Sequence, residues 1–180
     1  MATVALDLLG GDGAPGVVAD AIARLCDPAD PDSVDLIVVG PAQVARDLLT
    51  ERGVNLDSVR IVDAGRVASM SGNPLSILRA HDDVTVTVAV GLVNAGLADA
   101  WVSVGHTGAA VAAAVLGLGR LRGMSRPALA VVLPSLAGPV VLVDAGAAPD
   151  ATPDVLRQFA LAGWAYAKSL GVDDPAIGLI

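Results

Sequence analysis

The sequence is poor in several residue types that most functional classes depend on. It has one cysteine, Cys26, so an internal disulfide framework and a multi-cysteine zinc site are both excluded. Two histidines, His81 and His106, are too few for most metal cages. Aromatics amount to 2% of the 180 residues: Trp101, Phe159, Trp164 and Tyr166. Lys168 is the sole lysine, and the 11 basic residues face 19 acidic ones for a net charge of −8. No basic stripe of the kind that binds duplex nucleic acid or an anionic membrane is visible, so nucleic acid is not the expected partner. No apolar run approaches the ~20 residues of a membrane span. The start, MATVALDLLGGDG, shows neither a basic leader nor a cleavage site, which leads us to expect a cytoplasmic protein.

What remains is 54% hydrophobic, with a mean hydropathy of +0.66, and only 17% charged, far from the composition of a disordered chain. With so few aromatics, the core must be assembled from Ala, Val and Leu, packed closely with the help of 20 glycines. That suits thin, tightly stacked layers of strand and helix.

Apolar runs punctuated by Gly and Asp predict strands at 3–9, 35–39 and 59–62, alternating with helices at 16–25 and 43–52. This order implies an α/β fold with a mostly parallel sheet covered on both faces. Residues 84–93 are ambiguous between strand and helix; we read a helix, with Asp82 or Asp83 available to cap it and Asn94-Ala95-Gly96 to end it. A strand is expected at 100–104 and a helix of small apolar residues at 107–118. Strands at 128–133 and 140–143 would form a hairpin, placing an antiparallel strand in the sheet. Thr152 and Pro153 open a helix running to about Leu170, and 176–180 reads as a last buried strand. The chain is expected to be a single α/β domain whose fold continues past Ile180.

Three loops follow strand ends, where open α/β sheets place ligands. In the first, Asp7-Leu8-Leu9-Gly10-Gly11-Asp12, the glycines allow close backbone approach and the acids can position donors or a metal; taken alone, a plain tight turn with solvated acids is the better account. The second, Gly105-His106-Thr107-Gly108-Ala109, offers free amides at a helix start, suited to phosphate or carboxylate oxygens. Thr107 can serve there as helix cap or as hydroxyl donor, and His106 as neutral donor, proton acceptor or plain surface residue. The third, Asp144-Ala145-Gly146-Ala147-Ala148, sets an acid beside glycine, facing a site or capping a turn. Arg79 and His81 can neutralise an anion or simply face solvent, and Arg120, Arg122 and Arg126 form a small basic cluster. The sequence contains no G-x-S-x-G, Walker A, H-E-x-x-H or strand-linked G-x-G-x-x-G motif.

Taken in order, these loops resemble the bacterial phosphate acyltransferase family of phospholipid synthesis. Its D-x-M-G-G-D motif is similar to residues Asp7 to Asp12, and its S-x-G-N-T-G-A motif to Ser103-Val104-Gly105-His106-Thr107-Gly108-Ala109. Its G-x-x-R-P-A-L motif matches Gly123-Met124-Ser125-Arg126-Pro127-Ala128-Leu129, and its D-x-G-A-N motif resembles the Asp144 loop, followed by Gln158-Phe159-Ala160 and Gly163. The resemblance implies a three-layer αβα sandwich, Rossmann-like and similar to isopropylmalate dehydrogenase, of which this chain is the N-terminal half. It implies transfer of an acyl group from acyl carrier protein to inorganic phosphate, with no metal or organic cofactor, in a homodimer that associates peripherally with the membrane. His106 and Asp144 are then the candidate catalytic residues, orienting the phosphate; Asp7, Gly10, Gly11, Asp12, Arg79, His81, Gly105, Thr107, Gly108 and Gly146 are candidate substrate-binding residues. The three arginines at 120, 122 and 126 are the candidate contact for an acidic carrier protein.

The chain departs from the pattern where His106 and Ala148 replace asparagines, and where Arg79-Ala80-His81-Asp82-Asp83-Val84-Thr85 replaces R-x-K-x-x-S-S, after Gly72-Asn73-Pro74 in place of an acidic-proline step. These departures favour a rival reading, a non-catalytic interaction module of the same fold. A third reading is a phosphotransacetylase-like enzyme handling other acyl or phosphate substrates.

Overall fold

The computed structural model describes residues 2–27, 34–68, 74–136, 138–146 and 150–180. By their internal contacts these residues group into two compact units, Met1–Gly119 and Arg120–Ile180.

The first unit holds the expected strands and helices and one more helix, over Pro74–Ala80, that the sequence pattern does not predict: β1 (Thr3–Asp7), α1 (Gly16–Leu25), β2 (Asp35–Gly40), α2 (Ala42–Glu51), β3 (Arg60–Asp63), α3 (Pro74–Ala80), α4 (Thr85–Asn94), β4 (Ala100–Val102) and α5 (Thr107–Gly117). The four strands form one parallel sheet in the order β3-β2-β1-β4. Alternation along β2 sorts its side chains into two layers. Leu36 and Val38 join a core with Val18, Ala19 and Ile22 of α1 and Ala45 and Leu49 of α2. Ile37 and Val39 point the other way, into a core with Ala5, Ala64 and Ala89 of α4. A third cluster joins Leu78, Val86, Val90, Ala109 and Ala113, binding α3, α4 and α5 to one another. Alanines and valines interleave with a few larger aliphatic side chains, Leu8, Ile22, Ile37 and Leu49 among them, so the layers pack closely without aromatics. The result is an α/β fold with helices on both faces of a parallel sheet.

Residues 84–93 settle as helix because Thr85, Val86, Ala89 and Val90 are all buried. Spaced at i, i+1, i+4 and i+5, they form a single helical face, whereas a strand would send alternate valines outward. The expected aspartate cap is not used. Val84 occupies the N-cap position without a side-chain bond, and the Asp83 carboxylate accepts from Arg66 Nε at 2.8 Å. A parallel bridge between Arg66 and Val84 fixes the helix start instead, with the Thr85 N–H donating to the Arg66 carbonyl at 2.9 Å. The end is as expected: Gly96, at φ +69°, takes the left-handed turn after Ala95.

In the second unit, β5 (Ala130–Ser135) and β6 (Gly138–Val143) pair antiparallel, as the short connection predicts, but they form a two-stranded sheet of their own. The expected insertion of an antiparallel strand into the main sheet is therefore not seen among the described residues. Helix α6 (Pro153–Ser169) covers β6, and a Cβ at Gly163 would lie 3.2 Å from Val143 Cγ2. Thr152 is the N-cap residue and Pro153 the first helical one, but the Thr152 hydroxyl makes no cap bond; its carbonyl accepts the Leu156 N–H. Residues 176–180 are not a strand. They pair with no neighbour among the described residues, and Leu179 is 81% exposed.

Candidate anion site at the ends of β1 and β4

From β1 the chain steps to β2 and β3 on one side, then returns to place β4 on the other. The connections thus diverge in opposite directions at the carboxyl ends of β1 and β4, which opens a crevice there. The register pairs Leu6 with Val102, so one step further the parallel ladder sets Asp7 opposite Ser103. Their side chains meet: Ser103 Oγ donates to Asp7 Oδ2 at 2.7 Å. Asp7 is 3% exposed, and its other oxygen accepts the Leu9 N–H at 3.0 Å. The Ser103 oxygen in turn accepts the Gly105 N–H at 3.2 Å. A buried carboxylate is tolerated because its lone pairs are engaged in this way.

Above this pair the two loops touch through glycine. A Cβ at Gly10 would come within 2.7 Å of Ser103 Oγ, 2.8 Å of Asp7 Oδ2 and 3.0 Å of the Gly105 nitrogen. A Cβ at Gly105 would lie 3.1 Å from Gly10 Cα. Gly11, at φ +99°, turns the first loop over the Val104 backbone, where a side chain would meet the Val104 carbonyl at 2.8 Å. Here the glycines serve approach, not mere flexibility.

The cleft left between the loops is small, about 10 Å³, room for roughly one water. Asp7, Ser103 and His106 supply its polar wall, Gly10 and Gly105 its backbone wall, and Val67, Ala68, Val86 and Ala109 its apolar side.

At the start of α5 the N-cap residue is His106, at φ −65° and ψ 112°, and not Thr107. His106 Nδ1 accepts the Gly108 N–H at 2.9 Å and, more weakly, the Ala109 N–H at 3.4 Å. Two of the helix-start amides expected to be free are therefore occupied by the cap. Among the described residues, the amides of Gly10, Gly11, His106 and Thr107 have no acceptor. Hydrogen-bond donors thus remain on both loops that border the cleft.

Of the residues singled out from sequence, Asp7, Gly10, Gly105 and His106 line this cleft, with Gly11 set against Val104 and Gly108 against the His106 ring. Asp12 and Thr107 are exposed and outside the cleft lining. Arg79 is exposed in the last turn of α3, and the half-buried His81 follows it, its N–H bonded to the Ile77 carbonyl; neither lines the cleft. Asp144 and Gly146 belong to the second unit, where Asp144 Oδ1 accepts the Leu129 N–H at 2.9 Å. Gly146 has φ +94° and is exposed, while Ala147 and Ala148 lie outside the described residues, as do Gly72 and Asn73. Arg120, Arg122 and Arg126 are exposed, and Arg120 donates to the Ser125 carbonyl. Ser103 went unassigned from sequence; pairing β1 with β4 would have revealed it, since that register sets its hydroxyl against Asp7.

Among the described residues, no group of three or more His, Cys, Asp or Glu side chains could hold a metal ion, and no helix is long and apolar enough to cross a membrane.

Residues 2–180 match the family described as fatty acid synthesis protein. The chain is 41% identical over 181 residues to a phosphate acyltransferase of Desulfitobacterium hafniense strain Y51, covering all of this chain and 53% of that protein. A Heliobacterium modesticaldum phosphate acyltransferase is 41% identical over 180 residues, 98% of this chain and 52% of its own length. One from Synechocystis sp. is 40% identical over 185 residues, 99% of this chain and 51% of its own length. The chain spans about half the length of these relatives. The match across nearly every residue assigns the chain to the fatty acid synthesis protein family.

Proposed function

We propose that the chain is the N-terminal half of a phosphate acyltransferase domain, and that the cleft between β1 and β4 takes inorganic phosphate as the acceptor of an acyl group carried by acyl carrier protein. The observation that carries this reading is the pair of glycine loops whose amides at Gly10, Gly11, His106 and Thr107 have no acceptor among the described residues. Backbone donors at strand ends and at a helix start suit a small dianion. The relatives' name, phosphate acyltransferase, supports the same substrate.

In this reading the reaction asks little acid–base work of the protein. Phosphate is already ionised near neutrality, so holding one oxygen over the face of the thioester carbonyl carbon is the main contribution; the new C–O bond forms as the C–S bond breaks, and the carrier leaves as its thiolate. The carbonyl oxygen gains charge on attack and needs donors aimed at it. A cleft with room for one water requires phosphate to sit across its mouth, with one oxygen inserted. The carboxylate of Asp7 would repel a bound anion, so its part is to hold Ser103 and the Gly10 loop. Asp144 and Gly146 are assigned to the same reaction on their motif alone. The exposed Arg120, Arg122 and Arg126 would meet the acidic carrier, and the homodimer, the membrane association and the cytoplasmic setting belong to this proposal too.

Phosphate should protect the chain against unfolding, by about 2.7 kcal/mol at a hundredfold excess over Kd. Equal protection by sulfate at matched ionic strength would remove the specific phosphate site. The replacement of two motif asparagines by His106 and Ala148 favours the second reading, a binding module without catalysis. Acyl-phosphate formation by the chain together with its C-terminal continuation separates the two, and acyl-coenzyme A offered as donor tests the phosphotransacetylase-like alternative.

A further inference from the structure

We infer that His106 is a fixed hydrogen-bond donor to the bound anion and not a general base. The argument rests on the proposed phosphate site for the identity of the anion, but the state of the ring follows from the helix cap. A neutral imidazole has one N–H and one nitrogen lone pair. The lone pair at Nδ1 faces two backbone N–H groups, those of Gly108 at 2.9 Å and Ala109 at 3.4 Å. A proton on Nδ1 would point at these donors, so the ring proton sits on Nε2. No lone pair is then left to accept a proton from substrate.

Two further features hold this arrangement. The ring lies over Gly108, where a Cβ would come within 2.9 Å of His106 Cε1 and 3.2 Å of Nδ1, so a side chain at 108 would push the imidazole off the cap. His106 also lines the cleft beside Ser103 and Gly10, and among the described residues nothing accepts from its Nε2. An asparagine at this position would supply the same two functions: a carbonyl oxygen to cap the helix and an N–H to donate. His106 therefore replaces the amide of the G-N-T-G motif in function, with a longer reach.

The test is a nitrogen–proton correlation spectrum of the histidine rings in the 180-residue chain near neutral pH, with and without inorganic phosphate. The expected result is a protonated Nε2 and an unprotonated Nδ1 for His106, with the Nε2–H resonance moving as phosphate is added. An Nδ1–H tautomer or an imidazolium overturns the inference whatever phosphate does. A correct tautomer whose resonance ignores phosphate, while phosphate still stabilises the chain, overturns the donor role and leaves the phosphate site standing. No stabilisation by phosphate at all overturns both. Two variants add a readout that capping alone would not move. Asn and Gly are both tolerated caps without charge, but only asparagine keeps a donor. His106→Asn should keep phosphate affinity, whereas His106→Gly should fold yet bind phosphate at least about tenfold more weakly. Equal phosphate affinity in the two variants overturns the donor role.

Discussion

Ser103 Oγ donates to Asp7 Oδ2 at 2.7 Å, joining the ends of β1 and β4 beneath the glycine loops. The carboxylate is buried and the hydroxyl also accepts the Gly105 N–H, so this one contact holds both loops in place. Ser103→Ala should leave Asp7 with the Leu9 N–H as its one remaining bond of those described here, and should cost about 1–3 kcal/mol of stability. Urea unfolding checks the cost, and a midpoint unchanged from the parent chain would mean that water replaces the hydroxyl freely. Phosphate protection should weaken in the same variant.

A matched pair of glycine substitutions separates close approach from helix propensity. Gly10→Ala drives a methyl to 2.7 Å from Ser103 Oγ and 3.0 Å from the Gly105 nitrogen, and should cost about 1–3 kcal/mol. Gly91→Ala, in the exposed middle of α4 with nothing within 4 Å, should gain about 0.5–1 kcal/mol. Thermal melts of the two variants should move in opposite directions.

Thr85 and Thr87 carry buried hydroxyl oxygens without a hydrogen-bond partner among the described residues, and Thr85 is fully buried. The first turn of α4 has no earlier helical carbonyl for the Thr85 hydroxyl to reach back to, since the helix begins at that residue. Thr85→Val keeps the shape and removes the orphaned group, so it should stabilise the chain by on the order of 1 kcal/mol. A loss of stability on denaturant unfolding would show that the hydroxyl has a partner in solution.

Burial pushes the Cys26 thiol above its ordinary pKa by desolvating the thiolate. The thiolate is the reactive form, so native Cys26 should react with an aromatic disulfide reagent more slowly than the unfolded chain at mildly alkaline pH. The sign of the pH dependence follows. Above the ordinary thiol pKa the unfolded chain gives up its proton first, so Cys26 contributes a loss of stability as pH rises through that range. Cys26→Ala should remove this contribution, which a comparison of unfolding midpoints against pH would reveal.

The alternation of β1, α1, β2, α2 and β3 was legible because each strand is a short apolar run closed by Gly or Asp, and each helix buries a single face. The start of α4 was less so, because its cap is a backbone bridge between Arg66 and Val84 that no local pattern signals. At α5 the hydroxyl of Thr107 looked like the natural cap, yet the backbone turns helical one residue earlier than that reading requires, at Thr107 itself, which hands the role to His106. Residues 176–180 have the composition of a strand, but composition supplies no partner, and unpaired they stay exposed. The site loops were legible as glycine-rich strand ends. Their pairing was not, because β1 and β4 meet only through tertiary structure.

That pairing has a kinetic consequence. Asp7 and Ser103 are separated by 96 positions, and no shorter stretch of chain brings them together. Closing so long a loop carries an entropic penalty that grows with its length and is offset only as intervening elements condense. The β1–β2 contacts can form early, between strands linked by a single helix, whereas the β1–β4 edge must wait for α3 and α4 to dock. Protection of the β4 amides should therefore return later on refolding than that of the β2 amides, and its recovery would time the completion of the sheet.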